Sequence, residues 1–391
     1  MPLGQQVREV LEVPRDLLLG RYPRFVTGGP LPRGQVPVFV FHSLEPGSFG
    51  RQLDYLADNR YLTLSADQYL AVLTGAEPAP ERGVLLTFDD ARGSLWSVGY
   101  PLLRGHGMRG VVFMVPGRTS PRPGVSLPTW DDVAAGNADA AQVLDRETDG
   151  PFLFWEEVEE LSKSGVFDFE SHTMRHARIA TGSRVVGFLT PSLRHGYAAM
   201  DVPLFASEPG DLLPHQAPLG SPLLASSPRT SEALRFLEDP TTRLACAEEV
   251  AAEGGEAFFQ QHRWRRRLRR IVASRPVAGR FETREEQARS IEGELRGARE
   301  DIQARTGRPV RHLCYPWHVA GPTARRLALK SGYVTAFCGK IAGTPITGIG
   351  GDLQAIARIG DDYLELLPGR GRTSLISILR RKWLRRFGNG R

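Results

Sequence analysis

Val84-Leu85-Leu86-Thr87-Phe88-Asp89-Asp90 is a five-residue apolar and β-branched run that stops on two carboxylates. A run this short, with no charged residue on either parity before the carboxylates, reads as a strand buried on both faces. Working outward, the same pattern recurs in Val36–Phe41, which ends at His42, and in Val111–Val115. It recurs again in Phe167–Glu170, leading to Ser171 and His172, in His312–Tyr315, leading to Pro316 and Trp317, and in Tyr333–Phe337. Helical spacing separates these runs, at Phe49, Leu53, Leu56 and Ala57, and over 66–73, 155–164, 283–306 and 323–331. Buried strands alternating with helices predict an α/β fold with a parallel sheet and right-handed crossovers. The polar residues fall just after the strands, and closing such a sheet into a barrel gathers those positions on one rim.

The chain has 391 residues, 41% hydrophobic and 24% charged, enough to bury a sizeable core and to exclude wholesale disorder. Forty-two glycines and 29 prolines predict long loops. The net charge of +6 comes almost wholly from arginine, because Lys163, Lys330, Lys340 and Lys382 are the only lysines. The basic residues are split between two clusters rather than spread along one face, which argues against a nucleic-acid partner. Cys246, Cys314 and Cys338 are too few and too far apart for a disulfide framework or a CxxC metal knuckle. Charged residues interrupt the first twenty positions, and no apolar run reaches the roughly 18–20 residues of a membrane span. The expectation is a cytoplasmic protein without signal peptide or transmembrane segment, with association at a membrane surface as the alternative.

Two constellations carry chemistry. Asp89 and Asp90 adjoin at a strand end, where extended neighbours point in opposite directions, so only a bend brings both carboxylates into one pocket. A divalent cation would bind one and leave the other as a free base. Alone, an Asp-Asp pair more often sits in a surface loop. His172 and His176 lie four apart, which in a helical turn is bidentate metal spacing, although such pairs are as often solvated or core histidines. Two histidines and one aspartate on a strand-end rim make a three-ligand site with open positions, the catalytic rather than the structural pattern.

Thr87-Phe88-Asp89-Asp90, then His172-Thr173-x-x-His176, then Tyr315-Pro316-Trp317, in that order, resembles the polysaccharide deacetylases, the NodB-homology domain of carbohydrate esterase family 4. The likeness extends over 36–42, 52–65, 84–117, 157–176 and 283–337, and leaves out 118–150 and 182–280. It implies a distorted (β/α) barrel of NodB-homology type that removes acetyl groups from N-acetylated amino sugars of a polysaccharide or its precursor. By the same resemblance Asp89 would be the general base, and Asp90, His172 and His176 would hold one divalent metal ion. Zinc suits that donor set, with cobalt or nickel as alternatives. Thr173 would hold the loop, and Tyr315, Pro316 and Trp317 would line the sugar groove, with a backbone N–H there as oxyanion donor.

The chain departs from the family pattern at three places. Ala91 replaces the usual glycine, and Cys314 stands where an arginine often orients the base. The C-terminal Leu-x-His that usually supplies the acid is missing from 375–379. His42 is the substitute acid, because it ends the first strand on the same rim, and His318 is the second candidate. The missing acid motivates one alternative, a carbohydrate-binding relative with impaired catalysis. The basic amphipathic stretch 375–387 motivates another, a deacylase of a lipid-linked sugar at a membrane surface, with peripheral contact through that stretch. Arg358-Ile359 reads as a structural ion pair, and Trp130, Trp155 and Trp264 as core or sugar-stacking aromatics. The expected organisation is an N-terminal arm or cap over 1–35 and a barrel over 36–181 and 281–368. A large insertion over 182–280 and a basic C-terminal tail over 369–391 complete it, with a Pro-rich rim loop or lid over 116–150.

Overall fold

In the computed structural model the described residues are 19, 21–122, 127–207, 210–340 and 346–388. The expected N-terminal arm lies largely outside them, but Phe25 and Val26, on a short 3₁₀ turn, are buried in the main core.

The strands, in chain order, are β1 (Val38–Phe41), β2 (Leu62–Thr63), β3 (Gly83–Asp89), β4 (Gly110–Met114), β5 (Phe167–Ser171), β6 (Arg178–Phe188), β7 (Pro222–Pro228), β8 (Phe236–Glu238), β9 (Gly279–Phe281), β10 (His312–Cys314), β11 (Thr335–Lys340) and β12 (Ile356–Gly360). The main sheet runs β1-β12-β11-β10-β5-β4-β3, and β1 also pairs with β3, so seven parallel strands close on themselves. Strand β2 adds to the outer side of β3. The expected distorted (β/α) barrel is therefore the observed one, with one strand that the sequence reading missed. In β12 the charged Arg358 interrupts the apolar run, which disguised the strand.

Closure explains the composition of β3, whose seven residues are all buried. Alternate residues face inward: Val38, Leu85, Phe113, Cys314, Phe337 and Ile356 form a compact inner cluster. The helix Ala66–Thr74 closes its lower end with Tyr69, Val72 and Leu73. The other parity packs under the surrounding helices in the larger core. The distortion has a local cause at β5 and β10, which share the single register pair Leu313↔Ser171. Below it the Glu170 carboxylate takes the place of the ladder, accepting from the backbone N–H groups of Arg311 (2.9 Å) and His312 (2.7 Å).

The helices Trp155–Ser164, Arg284–Thr306 and Pro322–Lys330 sit where helical spacing predicted. The longest begins with a Thr283–Glu286 capping box and ends at Gly307 in the left-handed region. Residues 116–150 are not the expected open loop, since the helices Trp130–Ala134 and Ala140–Asp149 occupy much of them. The expected C-terminal tail is a docked helix, Leu375–Gly388. Ile378 is buried in the main core, and Arg381 and Lys382 pair with Glu365 (2.8 Å) and Asp362 (3.2 Å). Among the described residues no helix is long and apolar enough to cross a membrane.

Between β5 and the helix Arg284–Thr306 lie two antiparallel ribbons, β6–β7 and β8–β9, and the helices Thr241–Ala252 and Trp264–Ser274. The first ribbon starts at Arg178, inside the stretch expected to belong to the barrel. The segment has its own core of Phe188, Cys246, Val250, Phe258, Trp264 and Leu268. Its middle is tied to its C-terminal end by a buried pair, in which Arg229, just after β7, donates to both Glu282 oxygens at 2.9 and 2.7 Å. Glu282 also accepts from the Arg235 backbone N–H at 2.8 Å. Removing one partner of a buried pair leaves an uncompensated charge, so Arg229→Ala should cost about 3–5 kcal/mol. Urea denaturation checks this, and an unchanged midpoint would show that the pair does not hold the segment.

Candidate active site at the barrel rim

The cluster begins with a backbone bend. Asp90 adopts φ 70° and Ala91 φ 52°, in the left-handed region that residues with a Cβ seldom enter. The bend turns two consecutive carboxylates toward one pocket, as the sequence required. The histidine motif is built likewise. His172 and His176 were expected on a helical turn, but the segment is a tight loop with Thr173 at φ 64° and His176 at φ 50°. Trp317 (φ 52°) and His318 (φ 60°) add a third strained turn, so backbone strain concentrates around this rim.

His172 Nε2 lies 3.7 Å and His176 Nε2 3.9 Å from Asp90 Oδ1. These separations exceed hydrogen-bond length and suit atoms arranged around one ion at about 2.0–2.2 Å from each. The donor set also fits in protonation. His172 Nδ1 lies 2.8 Å from the Cys314 carbonyl, which can only accept, so that nitrogen carries the proton and Nε2 presents its lone pair. Burial lowers the His176 pKa to about 3, with His172 and Arg118 adding to the effect against the pull of Asp90. His176 is therefore neutral, the ligating form. Its Nδ1 is buried with no hydrogen-bond partner, and its ring lies against Trp317 at 4.0 Å between centroids. Asp90, His172 and His176 could hold a metal ion. A second group, Asp89, His172 and Cys314, shares one histidine with it.

Asp89 is held by a residue that sequence reading took for a structural ion pair. Arg358, fully buried on β12, donates to Asp89 Oδ1 at 2.6 Å and Oδ2 at 2.7 Å. It also reaches Thr87 Oγ1 at 3.2 Å and Cys314 Sγ at 2.9 Å. Burial by itself would raise the Asp89 pKa, but Arg358 foremost, with His172, holds it well below the ordinary carboxylate value. A guanidinium thus reaches Asp89 from β12, two strands from Cys314 in the sheet, and the Cys314 thiol, its pKa raised by burial, fills the space beside it. A lone arginine in an apolar strand was the available signal, because a buried charge needs a partner.

Two further supports were missed. Arg92 grips Asp90 Oδ2 through Nε (3.2 Å) and Nη2 (2.9 Å), leaving Oδ1 to the histidines. Its guanidinium lies 3.8 Å from the Tyr197 ring and donates to Ser43 Oγ at 2.7 Å. Glu294 holds the histidine loop, accepting from Arg175 N (2.9 Å) and Arg175 Nε (2.5 Å), while its carbonyl accepts from Met174 N (3.0 Å). Thr173, expected to hold the loop, bonds through its backbone N–H to Ser171 Oγ at 3.3 Å, and its buried hydroxyl has no partner.

His42 stands at the end of β1, in the electrostatic company of Asp89, Asp90, Arg92 and Arg358. The residue is solvent-exposed, and partial desolvation by the surrounding rim lowers its pKa against the pull of Asp89 and Asp90. His318 follows Trp317, and its carbonyl accepts from the Cys338 thiol at 3.3 Å. The expectation for Tyr315 is corrected. Its side chain is fully buried in the main core with the hydroxyl toward Ala324 O at 3.5 Å, so it cannot line a groove. Pro316 is also buried, and Trp317 remains partly exposed beneath the Arg178 guanidinium at 5.0 Å. Trp155 and Trp264 are core residues, and Trp130 packs against the core.

A closed parallel barrel with a carboxylate and two histidines on its C-terminal rim defines the class of fold and site. Residues 76–187 match the family described as Polysaccharide deacetylase. It is 30% identical over 89 residues to the Bacillus subtilis protein YxkH, covering 21% of this chain and 32% of that one. It is 29% identical over 134 residues to the poly-β-1,6-N-acetyl-D-glucosamine N-deacetylase of Escherichia coli K12, covering 34% of this chain and 18% of that enzyme. The chain thus spans about a third of the first relative and less than a fifth of the second. Its fold is that of the BpsB deacetylase domain from Bordetella bronchiseptica, at a TM-score of 0.50 and 16% identity over 85% of this chain and 98% of that domain.

Arg358→Met tests the clamp on Asp89. Removing the guanidinium leaves a buried carboxylate that desolvation pushes above its unfolded pKa, so the variant should lose about 3–5 kcal/mol at neutral pH. Such a penalty grows as pH rises above the unfolded value of about 3.9 and fades below it. The stability gap to the parent should therefore be smaller at pH 4 than at pH 8. A gap independent of pH would mean that Arg358 acts through packing alone.

Proposed function

We propose that the protein is a metal-dependent hydrolase that removes N-acetyl groups from amino sugars of a polysaccharide or its precursor. The convergence of His172 Nε2 and His176 Nε2 on Asp90 Oδ1, beside a carboxylate held ionised, carries this reading. Two imidazole nitrogens and a carboxylate oxygen suit zinc, with cobalt or nickel as substitutes, better than magnesium or calcium. Bound there, such a cation supplies Lewis acidity, polarising the acetyl carbonyl and acidifying water at neutral pH.

The protein's own residues do the rest. Asp89 takes the proton of the attacking water. Arg358 fixes the plane of that carboxylate and keeps it unprotonated, which makes Asp89 a weak base that depends on an acidified water. Charge grows on the acetyl oxygen as the carbon becomes tetrahedral. The His318 and Val319 N–H groups close onto Tyr315 O and Pro316 O, which leaves the Trp317 N–H as the candidate oxyanion donor. Trp317 presents the apolar face against which a sugar ring can rest. His42 then protonates the departing nitrogen, since an amide anion is a very poor leaving group. A lowered pKa makes the imidazolium a stronger donor but a scarcer one as pH rises.

The segment 182–280 belongs to this reading as the element that sets substrate choice. It touches the rim through Tyr197 on Arg92 and through Asp211, which lies 3.6 Å from Arg175 in the histidine loop. A poly-N-acetylglucosamine of the kind named for the Escherichia coli relative is the first polymer to try, and membrane contact through 375–387 is secondary to this reading.

Acetate release from N-acetylglucosamine oligomers, with metal analysis of the same sample, tests the proposal. His176→Ala should strip most of the metal. Asp89→Asn should keep the metal and lose about 10²–10⁴ in rate. A parent protein that holds metal yet releases no acetate from any oligomer would favour the carbohydrate-binding alternative.

His42→Ala should retain metal and lose rate on N-acetyl substrates far more than on an activated acetyl ester, whose leaving group needs no proton. Equal losses on amide and ester would remove His42 as the acid and bring His318 forward.

A further inference from the structure

A cavity of about 740 Å³ opens in the segment between β6 and the helix Trp264–Ser274. That volume is within the range of about 300–1,000 Å³ usual for small-molecule sites. Neither His42, Asp89, Asp90, His172 nor His176 lines it. Its walls include Val185, Leu223, Trp264 and Val272, and its rim carries Arg265 and Arg269. No aspartate or glutamate contributes to the lining.

The two arginines are four apart on one helix and share its face. Arg265 lies over the Trp264 ring at 4.4 Å. Neither has an ion pair among the described residues, whereas Arg267 on the same helix is tied to Glu249 (2.5 Å) and Glu253 (2.9 Å). Among the described residues the two arginines at the cavity thus have no counter-charge, as is also true of Arg266 and Arg270 outside it, while Arg267 is neutralised by its neighbours. A trough that mixes apolar side chains with Ser183, Thr190 and Ser192, and that is rimmed by cations without counter-charges, complements a molecule with an anionic group and an apolar part. It disfavours a deacetylated amino sugar, whose ammonium groups those arginines repel.

We propose that this cavity binds a phospholipid-type amphiphile, with its phosphate between Arg265 and Arg269 and its alkyl chain along Val185, Leu223 and Val272. The site does not depend on the deacetylase reading and would exist in a catalytically silent protein.

Titration calorimetry on the full chain, with dodecyl phosphate below its micellar concentration, tests this. Dodecyl phosphate should bind at least tenfold more tightly than dodecyl maltoside or inorganic phosphate, on the order of one charge-assisted contact. Arg265→Gln with Arg269→Gln should weaken binding about 30-fold, at roughly the contribution of two arginines beside an anionic headgroup. Arg266→Gln with Arg270→Gln, which removes the same charge from the same helix outside the cavity, should change it less than about threefold. Equal losses in the two pairs would reduce the effect to general charge and overturn the site. Equal binding of the maltoside, or of inorganic phosphate alone, by the parent protein would overturn it as well, and neither comparison needs a variant to fold.

Discussion

The bidentate contact between Arg358 and Asp89 is the interaction on which the rest of the barrel rim depends. It joins β12 to β3 through the barrel interior, and both partners are almost wholly buried. Charges so placed persist only when their partners are close and well aimed, and Thr87 and Cys314 complete the guanidinium's surroundings. With Asp89 fixed, the bend at Asp90 sends the second carboxylate toward the histidines. The inner cluster of Phe113, Phe337 and Cys314 fills the space beneath, so the pair cannot retreat into the barrel.

Around that pair the chain accepts strain in return for direction. Six non-glycine residues at this rim adopt positive φ: Asp90, Ala91, Thr173, His176, Trp317 and His318. Such conformations cost of order 1–3 kcal/mol each when the surroundings must enforce them. Arg92, Glu294 and the Cys314 carbonyl supply the enforcement, each through hydrogen bonds to the motif residues or their loop. The candidate ligand atoms are thereby set by tertiary contacts rather than by regular secondary structure.

Much of this was legible in the sequence, for physical reasons that differ by residue. Buried strands such as Val84–Phe88 announce themselves by being apolar on both parities, and long helices by their caps. Asp89, Asp90, His172 and His176 announce themselves by residue type at strand ends. Strand β12 was hidden because Arg358 broke its pattern, and the charge that hid it is the one that holds the candidate base. The helical explanation of His172 and His176 gave a correct proximity for the wrong reason, since two left-handed residues can fold a loop as tightly as a helix does. Tyr315 was misplaced because only Trp317 of the motif turns outward, and no local pattern shows where a strand stops facing the core. Arg92 and Glu294 carried no signal of their own, being one charged residue in a loop and one among many on a long helix.

Arg358 stands 269 residues beyond its carboxylate partner, and this separation bears on how the molecule forms. During synthesis β3 emerges long before β12, so a chain still lacking its seventh strand holds Asp89 without a counter-charge and leaves both β1 and β11 with an open edge. Contacts so distant in sequence form late and slowly, and open strand edges in a partly folded chain invite mispairing. The rim and the closed barrel are therefore completed in the same event, the arrival of the last strand, and the candidate ligand atoms reach their final geometry only when the chain can no longer pair with its neighbours.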